Sequence, residues 1–263
     1  MYVDLSDVGF SRILFIRGAW EYFEGRLMAG LVRKGDIVLD LGANIGYHTL
    51  MLSDAVGSEG RVHAFEPDPW NYELLLRNIA LNGCRNVTAV QKAVSDVTGR
   101  CRLYVSPNDF GDHRIHETSE KRKAVMVETV RLDDYVRDGD RIALVKMDIQ
   151  GAEFAALKGM TSVVRKGSPI VLAEFEPGAL RDSGVEPAEC LKLMESMGFE
   201  LWDIDGSNGA VRPVTPMELL KRYDIPNRPK DHANLLLVPS VRRSRLLQVY
   251  GRERKRQSSS DSG

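Results

Sequence analysis

The sequence predicts an α/β fold: a doubly wound, mostly parallel sheet with helices on both faces, an antiparallel last strand and an inserted β-hairpin. Three observations carry this. From Ile37 onward, short apolar runs alternate with helix-period segments, the rhythm of βαβ crossovers. Most of the runs are β-branched or leucine-rich, as strands covered on both faces require. The chain of 263 residues, 43% hydrophobic, suits one such domain better than two independent ones.

In chain order, residues 12–32 set Ile13, Leu14, Ile16, Trp20, Phe23, Leu27 and Leu31 at near-helical spacing. This predicts an amphipathic helix within an N-terminal cap, 1–35, placed over the cleft of the main domain, 36–240. Strands are expected there at 37–41, 61–65, 87–91, 142–147 and 170–175, with helices at 45–55, 69–82, 151–159 and 186–197. The second of these helices is bounded by Pro67-Asp68-Pro69 and Asn82-Gly83, good entry and stop signals. Runs 199–203 and 233–238 are expected to pair as the antiparallel end of the sheet. The runs 101–105 and 125–130 enclose a polar, histidine-bearing segment and predict a hairpin or flap. The stretch 241–263 joins a basic run to a serine-rich end and is expected to be a disordered tail.

Lys+Arg (36) and Asp+Glu (37) nearly cancel, so the strong basic field of a nucleic-acid binder is missing and a small-molecule substrate is favoured. Cys84, Cys101 and Cys190 form neither a disulfide framework nor a CxxC pair, which suits a reducing cytoplasm. No apolar stretch approaches the roughly 20 residues that span a bilayer. The N-terminal helix offers a surface for a homodimer.

The turn VLDLGANIGY leads from an apolar strand into Asp40, Gly42, Asn44 and Gly46 and on into a helix, the first crossover of a doubly wound sheet. Gly42 lets the backbone pass close to a ligand, and Gly46 lets the helix pack near the strand. A dinucleotide site would use GxGxxG; here the spacing is GxxxG, and the Asp40 carboxylate repels pyrophosphate. It attracts the ammonium and sulfonium of S-adenosylmethionine (AdoMet) instead. No GK[ST] follows, which excludes a P-loop. Glu66, with Pro67 after it, closes the second strand where a carboxylate accepts bonds from both ribose hydroxyls. Ala93, Val94 and Ser95 read as the close of the third strand, with Ser95 or Asp96 either bonding the adenine amino group or capping the turn.

These residues resemble the FkbM family of methyltransferases, through DLGANIG (40–46), AFEP (64–67), FGDHRI (110–115), VRLDDYV (130–136), KMDIQGAEFAALKGM (146–160) and ANLLLV (233–238). The resemblance covers most of 20–238, and the 146–153 block is its most discriminating part. Gln150 departs from the family, which usually has glutamate there. The resemblance implies a class I methyltransferase (Rossmann-like) fold and O-methylation of a hydroxyl on a sugar, a polyketide or another secondary metabolite. The rival readings are an RNA or protein methyltransferase and a non-catalytic AdoMet-fold binding protein.

Methyl transfer from a sulfonium is an in-line displacement, so alignment matters first, and a general base adds about 10²–10⁴-fold. Asp148, at the end of the fourth strand beside Lys146 and Glu153, is the first candidate base, and can equally cap the helix beginning near Gly151. His113 in the inserted segment is the second, ahead of His116 and His232. Arg114 is assigned to substrate orientation. Glu174, Glu176 and Asp148 could hold a divalent metal, or Glu174 could bond the substrate; Asn234 opens the last strand and could pair with either substrate or backbone.

Overall fold

The computed structural model describes residues 1–117, 121–225 and 231–260. The cap consists of α1 (Phe10–Arg17) and α2 (Tyr22–Leu31). The single helix expected over 12–32 is thus corrected to two: Gly18 closes α1 in the left-handed region at φ 70°. The main domain follows as β1 (Ile37–Leu41), α3 (Tyr47–Val56), β2 (Arg61–Phe65), α4 (Pro69–Leu81) and β3 (Val87–Val90). Next come β4 (Ala93–Val94), β5 (Gly99–Val105), β6 (Lys123–Val130), the short α5 (Leu132–Tyr135) and β7 (Ile142–Met147). The remainder is α6 (Glu153–Lys158), α7 (Thr161–Gly167), β8 (Ile170–Phe175), α8 (Pro177–Asp182), α9 (Pro187–Ser196), β9 (Phe199–Asp205), β10 (Ala210–Pro213), α10 (Pro216–Tyr223), β11 (Ala233–Pro239) and α11 (Arg243–Ser260).

The main sheet has the order β10-β9-β11-β8-β7-β1-β2-β3. Strands β3, β2, β1, β7 and β8 run parallel, while β11 inserts antiparallel between β8 and β9. This is the class I methyltransferase arrangement. Its direction of winding reverses between β1 and β7, and the carboxyl ends of those strands open a crevice at the switch point. The inserted hairpin is β5 with β6, antiparallel from Gly99↔Thr129 to Val105↔Lys123. β4 joins it in parallel as a separate three-stranded sheet. Ala93 and Val94 therefore do not close β3: the chain leaves the main sheet at Val90 and starts another.

Strand parity explains where the core ends and the site begins. Leu39, Leu41, Val145, Met147, Val171, Ala173 and Phe175 belong to the core on one face, packed against α6 to α10. Val38, Leu144, Leu172 and Leu236 belong to the other, under α2, α3 and α11. Asp40, Lys146, Glu174 and Asn234 share the parity of this second set, and the register pairs Asp40 with Lys146 and Glu174 with Asn234. At its carboxyl ends this face turns from apolar to charged, and the helices above it meet it with Glu24, His48 and Thr49, all buried.

The tail departs from expectation. Arg243–Ser260 is a helix, and its Leu246 and Val249 are buried in the α2–α3 core while Arg245 Nη2 donates to the Gly30 carbonyl at 2.7 Å. The composition argument missed three apolar residues, Leu246, Leu247 and Val249, near helical spacing; residues 261–263 lie outside the described chain. Leu246→Ala should cost about 2–5 kcal/mol, measured by urea unfolding; an unchanged midpoint would return this segment to a frayed tail.

Candidate active site

A cavity of about 290 Å³ lies over the carboxyl ends of β1, β2, β7 and β8 and is roofed by the cap and the hairpin segment. Cap and hairpin are tied together by one buried carboxylate. Asp7 accepts from the backbone N–H groups of Gly9 (3.1 Å), Ser11 (2.7 Å) and Phe110 (3.1 Å).

On one side stands the first turn. Gly42 has φ 75°, and a Cβ there would sit 1.9 Å from the Asp148 carbonyl. The close approach that demands glycine is thus to the end of β7. Gly46, at φ 96° ahead of α3, faces Leu75 of α4, whose Cδ1 would lie 2.7 Å from an added Cβ, and it does not line the cavity. Asn44 donates its N–H to Glu66 Oε2 (2.8 Å) and Asp68 donates its own to Oε1 (2.9 Å), so Glu66 fastens the first turn to the second. Burial pushes Glu66 up to about 8 despite those two donors. Pro67, Ala93 and Val94 continue this wall.

The other side is built on Lys146. Its Nζ donates to the Gly42 carbonyl at 2.8 Å and lies 3.5 Å from both Asp40 Oδ1 and Asp148 Oδ2. Burial works against its charge, but Asp148, Asp40 and Glu21 outweigh it and hold the ammonium above its ordinary range. Lys146 is a fixed cation. Asp148 is 34% exposed into this region, and Gln150 Nε2 donates to it at 2.9 Å and to Glu174 Oε2 at 3.0 Å. Glu174 is raised well above the usual carboxylate range by burial first and Asp148 second.

Several expected contacts are corrected. Asp40 is fully buried: Oδ2 accepts from the Thr49 hydroxyl at 2.6 Å, Oδ1 faces Lys146, and the side chain lies beneath the cavity wall. Ser95 bonds Asp96 at 3.3 Å and does not reach the cavity, because β4 carries it into the second sheet; Asp96 is occupied by Lys158 at 3.0 Å. Arg114 spends its guanidinium on Asp112 (2.6 Å), Glu176 (3.3 Å) and Asp182 (3.7 Å), pinning the hairpin segment to α8. Asn234 lies outside the cavity and donates to Glu24 (3.2 Å) and Glu21 (3.4 Å) of the cap. His113 lines the cavity, but its Nδ1 accepts from the Ser106 N–H at 3.1 Å and Nε2 points to Asp68, 4.0 Å away. Its proton therefore sits on Nε2, next to the Glu66 wall, and burial lowers its basicity.

The sequence reading missed Glu21 and His48. Both line the cavity, His48 Nε2 lies 3.8 Å from Glu21 Oε2, and burial lowers His48 to about 4. The available signal was a polar residue on the apolar stripe of a helix, Glu24 one turn after Glu21. Three of the four non-glycine residues with positive φ, Glu21, Asn44 and Gln150, line this one cavity, where backbone strain usually marks function.

The lining fits AdoMet. Glu66, Asp109, Asp112, Asp148 and Glu174 supply acceptors for a ligand bearing an ammonium, a sulfonium and a diol, and Asp40 Oδ1 is buried without a hydrogen bond behind them. Phe65, Ala93, Val94, Leu103 and Ile115 give an apolar slot beyond Glu66 for a flat base. Among the described residues, no group of three or more His, Cys, Asp or Glu side chains is arranged to hold a metal, and no helix is long and apolar enough to cross a membrane.

A family model described as the methyltransferase FkbM domain matches residues 40–201. Methyltransferase sdnD of Sordaria araneosa is 30% identical, with 62% of this chain and 73% of that protein aligned. Hexuronic acid methyltransferase AglP of Haloferax volcanii is 26% identical over 70% of each chain. The 31-O-demethyl-FK506 methyltransferase FkbM of Streptomyces tacrolimicus is 29% identical over 68% of this chain and 70% of its own.

Two outcomes follow from the charges. Lys146→Met leaves Asp40 buried and unpaired and should cost about 3–5 kcal/mol in chemical denaturation; a cost below 1 kcal/mol would show that the ammonium does not hold the turn. Glu66 at about 8 and Glu153 at about 7 are raised by burial above the ordinary 4.5, and stability tied to a raised group is lost as pH rises through its folded value. The melting temperature of the cofactor-free protein should fall between about pH 4.5 and 8, and Glu66→Gln should flatten that fall; an identical profile in the variant would clear Glu66.

Proposed function

Since the chain belongs to the FkbM family of AdoMet-dependent methyltransferases, we propose that it methylates a hydroxyl group of a small molecule. The observation that carries the reading is the row of acceptor groups Glu21, Asp148 and Glu174 at the β7–β8 end of the cavity. Such a row receives the hydrogens of a polyhydroxyl compound. Two relatives point the same way by name, one for a hexuronic acid and one for an O-methyl position.

Bound AdoMet supplies an electrophilic methyl carbon on a sulfonium. Glu66 would hold the ribose hydroxyls, the apolar lining around Ala93 and Leu103 would take the adenine, and the carboxylates over Lys146 would meet the positive end. Asp148 orients the acceptor hydroxyl, fixed from behind by Lys146 and from the side by Gln150. The roof of cap and hairpin excludes water and confines the acceptor, so most of the rate comes from alignment.

Calorimetry should show AdoMet binding that Glu66→Gln weakens about 10–100-fold, the loss of an oxygen acceptor for the ribose hydroxyls. Mass spectrometry of a small-molecule extract of the source organism, incubated with methyl-labelled AdoMet, should find the label on a hydroxyl oxygen. Label found in RNA or protein, and none in the extract, would overturn the reading.

A further inference from the structure

We infer that Glu21 is the proton acceptor of the reaction, taking the hydroxyl hydrogen of the acceptor as the methyl group arrives. The inference rests on the O-methyl-transfer reading above and assigns a residue outside the matched span 40–201.

The other candidates are already engaged. Lys146 is a held cation. Asp148 has Lys146 at 3.5 Å and the Gln150 amide at 2.9 Å. Glu174 shares that amide at 3.0 Å and has His232 Nε2 at 3.9 Å. His113 uses its lone pair on Ser106.

Glu21 differs in three respects. Its Oε1 has only a long contact from Asn234 at 3.4 Å, and among the described residues no hydrogen bond reaches Oε2. Its backbone is left-handed at φ 43° and ψ 54°, directly before α2, a strained conformation for glutamate that aims the side chain back into the cavity. His48 Nε2, buried and without a hydrogen bond, faces Oε2 at 3.8 Å, leaving a polar gap between them.

The groups facing Glu21 are Glu24 on its own helix, His48 on α3, Lys146 on β7, Asp148 just after that strand, Glu174 on β8 and Asn234 on β11. Burial first, then Asp148, raise Glu21 to about 7, with Lys146 opposing. A base poised there is about half ionised at neutral pH and strong enough to take a proton. His48, held near 4, stays neutral over that range. In the step, the acceptor oxygen forms its bond to the methyl carbon and gives its proton to Glu21. The electron pair of the broken carbon–sulfur bond stays on sulfur, leaving S-adenosylhomocysteine, and Glu21 later returns the proton to solvent.

The test has two arms on the full chain. In protein carrying ¹³C-labelled glutamate carboxyls, the resonance missing from Glu21→Gln should titrate near 7 rather than near the ordinary 4.5. With the small-molecule extract as acceptor source, Glu21→Gln should lower turnover about 10²–10⁴-fold while AdoMet affinity stays within about threefold. The fall in wild-type rate below about pH 7 should vanish in that variant, and Glu21→Asp should recover part of the rate. A Glu21 resonance that titrates near 4.5, or a Glu21→Gln enzyme within about threefold of wild type, overturns the inference alone. A wild-type protein that methylates nothing in the extract overturns the function reading and this inference with it.

Discussion

The buried ammonium of Lys146 is the point on which the site depends. It joins the end of β7 to the turn after β1 through the Gly42 carbonyl and lies between the carboxylates of Asp40 and Asp148. Acidic side chains outnumber lysines in the cavity lining, and without a cation at its base Asp40 would be a charge buried in an apolar sheet face. Such a cluster contributes little net stability when complete, because desolvation offsets the attraction. What it provides is fixed geometry. The ammonium sets how close two adjacent strand ends can come, and Gly42 is the consequence: the gap to the Asp148 carbonyl leaves no room for a Cβ.

Strand positions and the first turn were legible in the sequence because they follow from local pattern: apolar runs, a glycine turn, a proline-started helix capped by Asp68. The direction of each polar side chain was also encoded, by parity. In VLDL, LVKM, LAEF and ANLL a single polar residue replaces an apolar one on the same face of the sheet. Read together, these four interruptions place Asp40, Lys146, Glu174 and Asn234 in one patch under the cap. Read one at a time, they suggest four separate contacts with ligand, the source of the errors at Asp40 and Asn234. Ser95 and Arg114 failed for another reason. The Ser95 N–H bonds Val130, and Arg114 reaches Glu176 besides its near neighbour Asp112; these distant partners are announced by no periodicity, nor is the move of β4 to another sheet.

The molecule divides its labour between a rigid floor and a tied-down roof. The floor is the carboxyl edge of the sheet, held by ladder hydrogen bonds and the Lys146 cluster. The roof is the two short helices of the cap and the loop leading out of β5, joined through Asp7 and Phe110. Specificity commonly resides in such connecting segments on a fixed scaffold. The roof also lowers the polarity of the cavity, which is why Glu21, Glu66 and Glu174 all rise from the ordinary carboxylate range.

Gln150 shows how the two halves are reconciled. Three carboxylates, Glu21, Asp148 and Glu174, converge on one end of the cavity, and Coulomb repulsion among them would push the strand ends and the cap apart. A glutamate at 150 would add a fourth. The amide instead donates to Asp148 and Glu174 together, at the cost of a left-handed backbone at φ 53°. One neutral donor thus bridges two acids while engaging one oxygen of each. The remaining oxygens, Asp148 Oδ2 at 3.5 Å from Lys146 and Glu174 Oε1 at 3.9 Å from His232, make no hydrogen bond as short as those to the amide. Further acceptor capacity on them suits a ligand that brings hydrogens of its own, the chemistry of a hydroxyl acceptor rather than of another anion.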